Sequence, residues 1–202
     1  MQSAKIAPDF SFESRVDQPV CGIDEAGRGP IAGPVVAAAV VLDPSHVPSG
    51  INDSKMLSRS KRESLFQLII STGVVGVGFG SVAEIDEVNI LNATDFAMER
   101  AVSQLKLVPV TALVDGNHVP KLPCSSRAII NGDKRSLSIA AASIVAKVTR
   151  DNFMFKLASD YTGYGWERNV GYPTKEHIKA LGSLGITPHH RRSFGPVARL
   201  LD

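Results

Sequence analysis

Apolar positions recur along this chain at two periods. Val20 to Ile23 is a short apolar run, and Val35 to Leu42 (VVAAAVVL) is unbroken, the pattern of a strand covered on both faces. The glycine-rich stretch from Gly27 to Gly33 between them reads as a turn, so the two strands are expected to form a hairpin. Gly73 to Ser81 alternates Val and Phe with Gly as a third strand, Val110 to Val114 is a fourth, and Arg127 to Ile130 is a fifth. Helical signals fill the gaps. Ser60 with Glu63 has the capping-box spacing for a helix running to about Ile70, and Ser81 with Glu84 repeats it. Thr94, Met98, Ala101, Val102 and Leu105 then share one helical face, and Leu137 to about Tyr161 is a long Ala-rich helix. From Thr162 the chain is basic and rich in turns, with short helices expected.

This order predicts an α/β fold, a mixed five-stranded sheet flanked by helices, with a small helical extension at the C-terminus. Residues 1–17 are expected as a short tail, 18–161 as the catalytic domain, and 162–202 as an extension packed on it. No repeat, low-complexity tract or Pro/Gly/Ser-rich linker divides the chain further. With 44% hydrophobic and 21% charged residues the composition is that of a water-soluble globule. No apolar stretch reaches the ~18 residues of a membrane span, and residues 1–20 lack the apolar core of a secretory signal. A cytoplasmic protein is therefore expected. Cys21 and Cys124 are too few and too far apart for a disulfide framework or a zinc site and are read as reduced thiols. The net charge of +2 permits nucleic-acid binding without demonstrating it.

The chemistry concentrates at strand ends. Asp24-Glu25 follows the first strand and precedes a turn with Gly27 and Gly29, Asp115-Gly116 ends the fourth, and Asn131-Gly132-Asp133 ends the fifth. Carboxyl ends of strands are where open α/β sheets bind ligands. Clustered carboxylates raise one another's pKa unless a cation neutralises them, and a hard divalent ion with oxygen ligands is the economical partner. A pair of such ions ~3.5–4 Å apart can drive phosphodiester hydrolysis. Each acid alone has a plainer reading as a solvated turn, a cap or an ion pair. Side chains of adjacent strand residues also face opposite ways, so Asp24 and Glu25 reach one site only where the strand bends.

The ordered motifs resemble the ribonuclease HII family, the bacterial type of type 2 ribonuclease H. They are Gly22-Ile23-Asp24-Glu25-Ala26-Gly27-Arg28-Gly29-Pro30, Asp53-Ser54-Lys55, Val114-Asp115-Gly116, Gly132-Asp133, the run Ser138 to Asp151, Gly171-Tyr172-Pro173-Thr174-Lys175-Glu176-His177 and His190-Arg191-Arg192-Ser193-Phe194. The resemblance implies an RNase H-like fold and an endonuclease that cuts the RNA strand of RNA–DNA hybrids. It also implies nicking of duplex DNA 5′ to an embedded ribonucleotide, by two-metal-ion catalysis with Mg²⁺ or Mn²⁺, leaving 5′-phosphate and 3′-hydroxyl ends. Such an enzyme removes ribonucleotides in DNA repair and replication. By the same resemblance Asp24, Glu25, Asp115 and Asp133 hold the metals, and Gly27, Arg28, Gly29 and Tyr172 recognise the ribose 2′-hydroxyl. Met56 departs from the family, which usually has a second lysine there.

Lys55, Lys147, Arg150, Lys175, Arg191 and Arg192 are expected at phosphates, Lys55 and Lys147 foremost and the Arg191-Arg192 pair last; such contacts position a duplex without reading its sequence. His177, His189 and His190 are expected to pack or cap, and Asp151 to pair with Lys147 one helical turn away. The expected partners are RNA–DNA hybrids and ribonucleotide-containing DNA, with no membrane, no obligate protein partner and a monomeric state. Three rivals remain. A dinucleotide-binding oxidoreductase would use Gly27-x-Gly29-x-x-x-Gly33, but a strand follows where a helix is needed. A non-catalytic nucleic-acid binding module would not need the acids, and a four-carboxylate DNA exonuclease would depend on a 3′ end.

Overall fold

The computed structural model describes residues 7–201. Five strands, β1 (Val20–Ala26), β2 (Val35–Val41), β3 (Val74–Gly80), β4 (Thr111–Asp115) and β5 (Ser125–Ile129), form one sheet in the order β3-β2-β1-β4-β5. β1 pairs antiparallel with β2, and β2 with β3, while β1 with β4 and β4 with β5 run parallel. The expected hairpin is present, with Gly22 opposite Val40.

The unbroken apolar run of β2 has the cause the sequence implied. Val35, Ala37 and Ala39 face helix α2 (Val82–Ser103), whereas Ala38 and Val40 face α1 (Arg59–Thr72) and the long α3 (Leu137–Asp160). The sheet is thus covered on both sides. The glycines of β3 bring α2 close: a Cβ at Gly78 would lie 2.0 Å from the carbonyl oxygen of Ala97, and one at Gly76 would lie 2.1 Å from that of Ala101.

Two helix starts differ in detail. The cap of α1 is Ser58, which accepts the amide of Lys61, not Ser60; Glu63 instead pairs with Arg59 at 2.8 Å. Two serines stood within reach, and the preceding loop selected the earlier one. The Ser81–Glu84 capping box forms as expected, but α2 is interrupted at Asn89 (φ 69°, ψ 168°), whose side chain accepts the amides of Leu91 and Asn92.

Residues 1–6 of the expected tail lie outside the described residues. Within 7–17, Glu13 is buried and its Oε1 accepts Ser138 N at 3.0 Å and the hydroxyls of Ser136 and Ser138 at 2.6 and 2.7 Å, supporting the start of α3. The last forty residues carry α4 (Trp166–Asn169), α5 (Lys175–Leu184) and α6 (Gly195–Ala198). They pack around the buried Trp166 against Met154 and Leu157 of α3 and against Ile31 and Ala32 of the turn after β1. Cys21 is buried and Cys124 half-buried, both as free thiols, and burial pushes Cys21 up to about 12.

Candidate active site

Parallel pairing of β1 with β4 and of β4 with β5 brings three carboxyl ends to one edge of the sheet. Asp24 lies near the end of β1, Asp115 is the last residue of β4, and Asp133 sits in a single 3₁₀ turn (Gly132–Lys134) after β5. Each offers a carboxylate oxygen within 4.8 Å of the others. Local bonds fix the cluster. Asp115 Oδ1 accepts Gly132 N at 2.6 Å and Asp133 N at 3.4 Å, tying the turn after β5 to the end of β4. Asn131 enters that turn in the left-handed region (φ 54°), and Asp24 Oδ1 accepts the amide of Glu25 at 2.7 Å.

Asp24 and Asp133 are only 5% and 4% exposed, so their charges have little water around them. Burial, then the charges of Glu25, Asp115 and Asp133, push Asp24 well above the ordinary carboxylate range. Burial and Asp115 also raise Asp133. Lys55 stands against this, with its Nζ 3.5 Å from Asp133 Oδ2. Burial works against the Lys55 charge, but Asp24, Asp133 and Asp53 outweigh it and hold the ammonium above its usual pKa. An all-oxygen, desolvated donor set with excess negative charge matches a hard divalent cation, which would remove the repulsion that raises these acids.

Glu25 stands to one side. It is not part of the three-acid group, and its Oε1 meets Arg28 Nη1 at 3.3 Å. Burial raises its pKa, with Arg28 opposing. It nonetheless lines the same cleft as Asp24, a space of ≈ 350 Å³ that also takes in Gly27, Arg28, Gly29, Lys55, Lys147 and Tyr172. The Tyr172 ring faces the turn, since a Cβ on Gly29 would come 3.5 Å from its Cε1.

The expected phosphate contacts divide. Lys55 is largely exposed in the cleft, and Lys147, a quarter exposed, makes the anticipated pair with Asp151 at 2.8 Å. Lys175 is exposed in the first turn of α5, away from the cleft lining. Arg150 and Arg191 require correction, because both are buried and spend their donors on carbonyls. Arg150 donates to Pro34, Val170 and Ala32 at 2.9, 2.9 and 3.0 Å. Arg191 donates to Gly33, Arg28 and Gly27 at 2.9, 3.0 and 2.6 Å. Burial lowers them to about 10 and about 9, so both stay protonated at neutral pH, and neither guanidinium is free for phosphate.

Asp53 was part of a quoted motif, but its role was not read from the sequence. Asp53 is buried and accepts Lys55 N at 2.9 Å, capping the short turn Ser54–Met56 that presents Lys55. An Asp two residues before the Lys was the available signal. The histidines do pack. His177 Nδ1 donates to the carbonyl of Tyr172 at 2.9 Å, and its Nε2 accepts the indole N–H of Trp166 at 3.0 Å. His190 Nε2 also lies 3.0 Å from that nitrogen.

Comparison with known proteins agrees with this geometry. A family model described as Ribonuclease HII matches residues 21–197. The Ribonuclease HII of Magnetococcus marinus is 57% identical, over 96% of this chain and 95% of its own length. Among solved structures, the ribonuclease H2 of Pyrococcus horikoshii superposes with a TM-score of 0.74 at 30% identity, covering 90% of this chain and 96% of that one. The RNase HII of Archaeoglobus fulgidus, solved in complex with PCNA, gives 0.75 at 28% identity, covering 88% and 95%. The fold is RNase H-like, and this chain belongs to the ribonuclease HII family, a family of ribonucleases.

Proposed function

We propose that this chain hydrolyses the RNA strand of RNA–DNA hybrids and nicks duplex DNA 5′ to embedded ribonucleotides, with two divalent ions in the active complex. The observation that carries the proposal is that Asp24, clustered with Asp115 and Asp133, lines one cleft together with the Gly27-Arg28-Gly29 turn and Tyr172. Acids alone would serve any phosphodiesterase. A turn and an aromatic ring beside them supply a place for a sugar, and the 2′-hydroxyl is what distinguishes RNA from DNA there.

Asp24, Asp115 and Asp133 would hold Mg²⁺ or Mn²⁺, with Glu25 at the margin. When bound, such ions lower the pKa of water and neutralise charge on the phosphate and the leaving oxygen. The chain's own residues do the rest. Asp115 keeps the Asp133 turn in register through Gly132, so two of the acids move as one unit. Lys55 brings a positive charge to the mouth of the cleft, where a phosphate would enter. The Tyr172 ring, 43% exposed, offers a stacking face to the sugar or base next to the cut. In the overall reaction water adds to phosphorus, the bond to the 3′-oxygen breaks, and that oxygen takes up a proton.

The enzyme on this proposal is a cytoplasmic monomer needing no obligate protein partner. Among the described residues no helix is long and apolar enough to cross a membrane. The test is to incubate the protein, with and without Mg²⁺ or Mn²⁺, with duplexes carrying no ribonucleotide, one ribonucleotide or a full RNA strand, and to map the cuts. Metal-dependent nicking 5′ to the lone ribonucleotide, with all-DNA duplex intact, is expected. Digestion from 3′ ends, or cutting of all-DNA duplex, would overturn the proposal.

A further inference from the structure

We infer that Arg191 is a positioning residue for ribose discrimination: it grips the carbonyls of Gly27 and Arg28 from behind and thereby turns the amides of Arg28 and Gly29 into the cleft. The inference rests on the ribonucleotide reading above and names the device behind it. In a trans peptide the C=O and the following N–H point to opposite sides. Gly27 O lies 2.6 Å from Nη2 and Arg28 O 3.0 Å from Nη1 of Arg191. The N–H groups of Arg28 and Gly29 belong to those same two peptide units and so point away from the guanidinium. Neither finds an acceptor among the described residues, and both residues line the cleft beside Asp24. Two successive open amides make a concave donor site suited to an oxygen.

Only an arginine can do this here. Its planar fork reaches three carbonyls at once, the third being Gly33 O at 2.9 Å, where an ammonium would offer a point charge. The charge also acts through the peptides, because a carbonyl polarised by a guanidinium makes its own N–H a stronger donor on the far side. The side chain is fully buried and forms no ion pair within 4.0 Å among the described residues. Its backbone is fixed separately: Arg191 N donates to Ile31 O at 2.8 Å, and Asp86 of α2 accepts Arg192 N at 3.0 Å and Ser193 N at 2.8 Å. A guanidinium held from two elements and aimed at a third is placed for positioning, not for binding a ligand.

The experiment compares wild type with R191K and R191M by equilibrium binding in EDTA to two duplexes that differ only by one ribonucleotide, with thermal melting as the folding control. Cleavage of the ribonucleotide duplex in Mg²⁺ gives kcat and KM separately. Wild type is expected to prefer the ribonucleotide duplex, and folded R191K to lose roughly tenfold of that preference while its affinity for all-DNA duplex is unchanged. R191M should lose the preference altogether. A folded R191K that keeps the wild-type preference would overturn the inference and leave the proposed function standing. A wild type without any preference would overturn both. If neither variant folds, amide exchange in the wild type decides: slowing at Arg28 and Gly29 by the ribonucleotide duplex, and not by all-DNA duplex, supports the inference, and equal exchange with both refutes it.

Discussion

Asp115 Oδ1 accepts the amide of Gly132 at 2.6 Å, so the carboxylate that ends β4 also shapes the turn presenting Asp133. One oxygen of this side chain is therefore committed to the fold and the other is free for a ligand. Asn keeps the accepting oxygen and removes the charge. Asp115→Asn should melt within a few degrees of wild type yet lose at least about 100-fold in Mg²⁺-dependent cleavage, with duplex binding retained. Parallel melting, binding and cleavage assays check this, and a large loss of melting temperature would show that the charge also serves the turn.

The raised acids make metal-free stability fall with pH. Asp24, Glu25 and Asp133 have folded pKa values above their ordinary 3.8, 4.5 and 3.8. The folded state thus holds more protons than the unfolded one between those ordinary values and the raised ones, and stability drops as pH rises through that window. A divalent cation cancels the repulsion, so Mg²⁺ should raise Tm more at pH 8 than at pH 5. Asp24→Asn should raise the metal-free Tm at pH 8 by roughly 2 °C or more while abolishing cleavage. Calorimetry across pH, with and without Mg²⁺, measures all three.

Lys55 lies 3.5 Å from Asp133, with its side chain 77% exposed. If it meets a phosphate, Lys55→Ala should weaken binding to ribonucleotide and all-DNA duplexes alike and reduce the slope of log K against log salt by about one. A salt titration of both duplexes separates this from a change in discrimination. Selective weakening for one of them would contradict a phosphate role.

Gly27 has φ +98°, and a Cβ there would fall 2.0 Å from Arg150 Nε. Gly27→Ala therefore meets both backbone strain and a buried guanidinium that cannot retreat from its three carbonyls. A stability loss of about 2 kcal/mol or more is expected, measurable by urea unfolding. A near-neutral result would mean that Arg150 can repack.

Much of this was legible in the sequence for identifiable reasons. The apolar runs and Val–Gly alternation marked β1 to β4, whereas β5 (Ser125–Ile129), an edge strand whose first three residues are exposed, was read two residues late at Arg127. Glycines close to carboxylates marked the strand ends near Asp24, Asp115 and Asp133. Arg150 and Arg191 were not legible. A basic residue in a helix or a turn-rich tail has the same local pattern whether its guanidinium meets water, phosphate or a cage of carbonyls, and only the long-range approach of residues 27–34 decides. Glu25 was expected with the other three acids; its place beside Arg28 depended on the path of the turn.

Arg191 reaches back across most of the chain to hold carbonyls at Gly27 and Arg28. During synthesis the three acids are all made by residue 133, long before the segment that braces the neighbouring turn leaves the ribosome. A nascent chain or a fragment ending short of that segment would own its acids without the brace. The order of translation thus places the part that steadies the turn after the acids beside it.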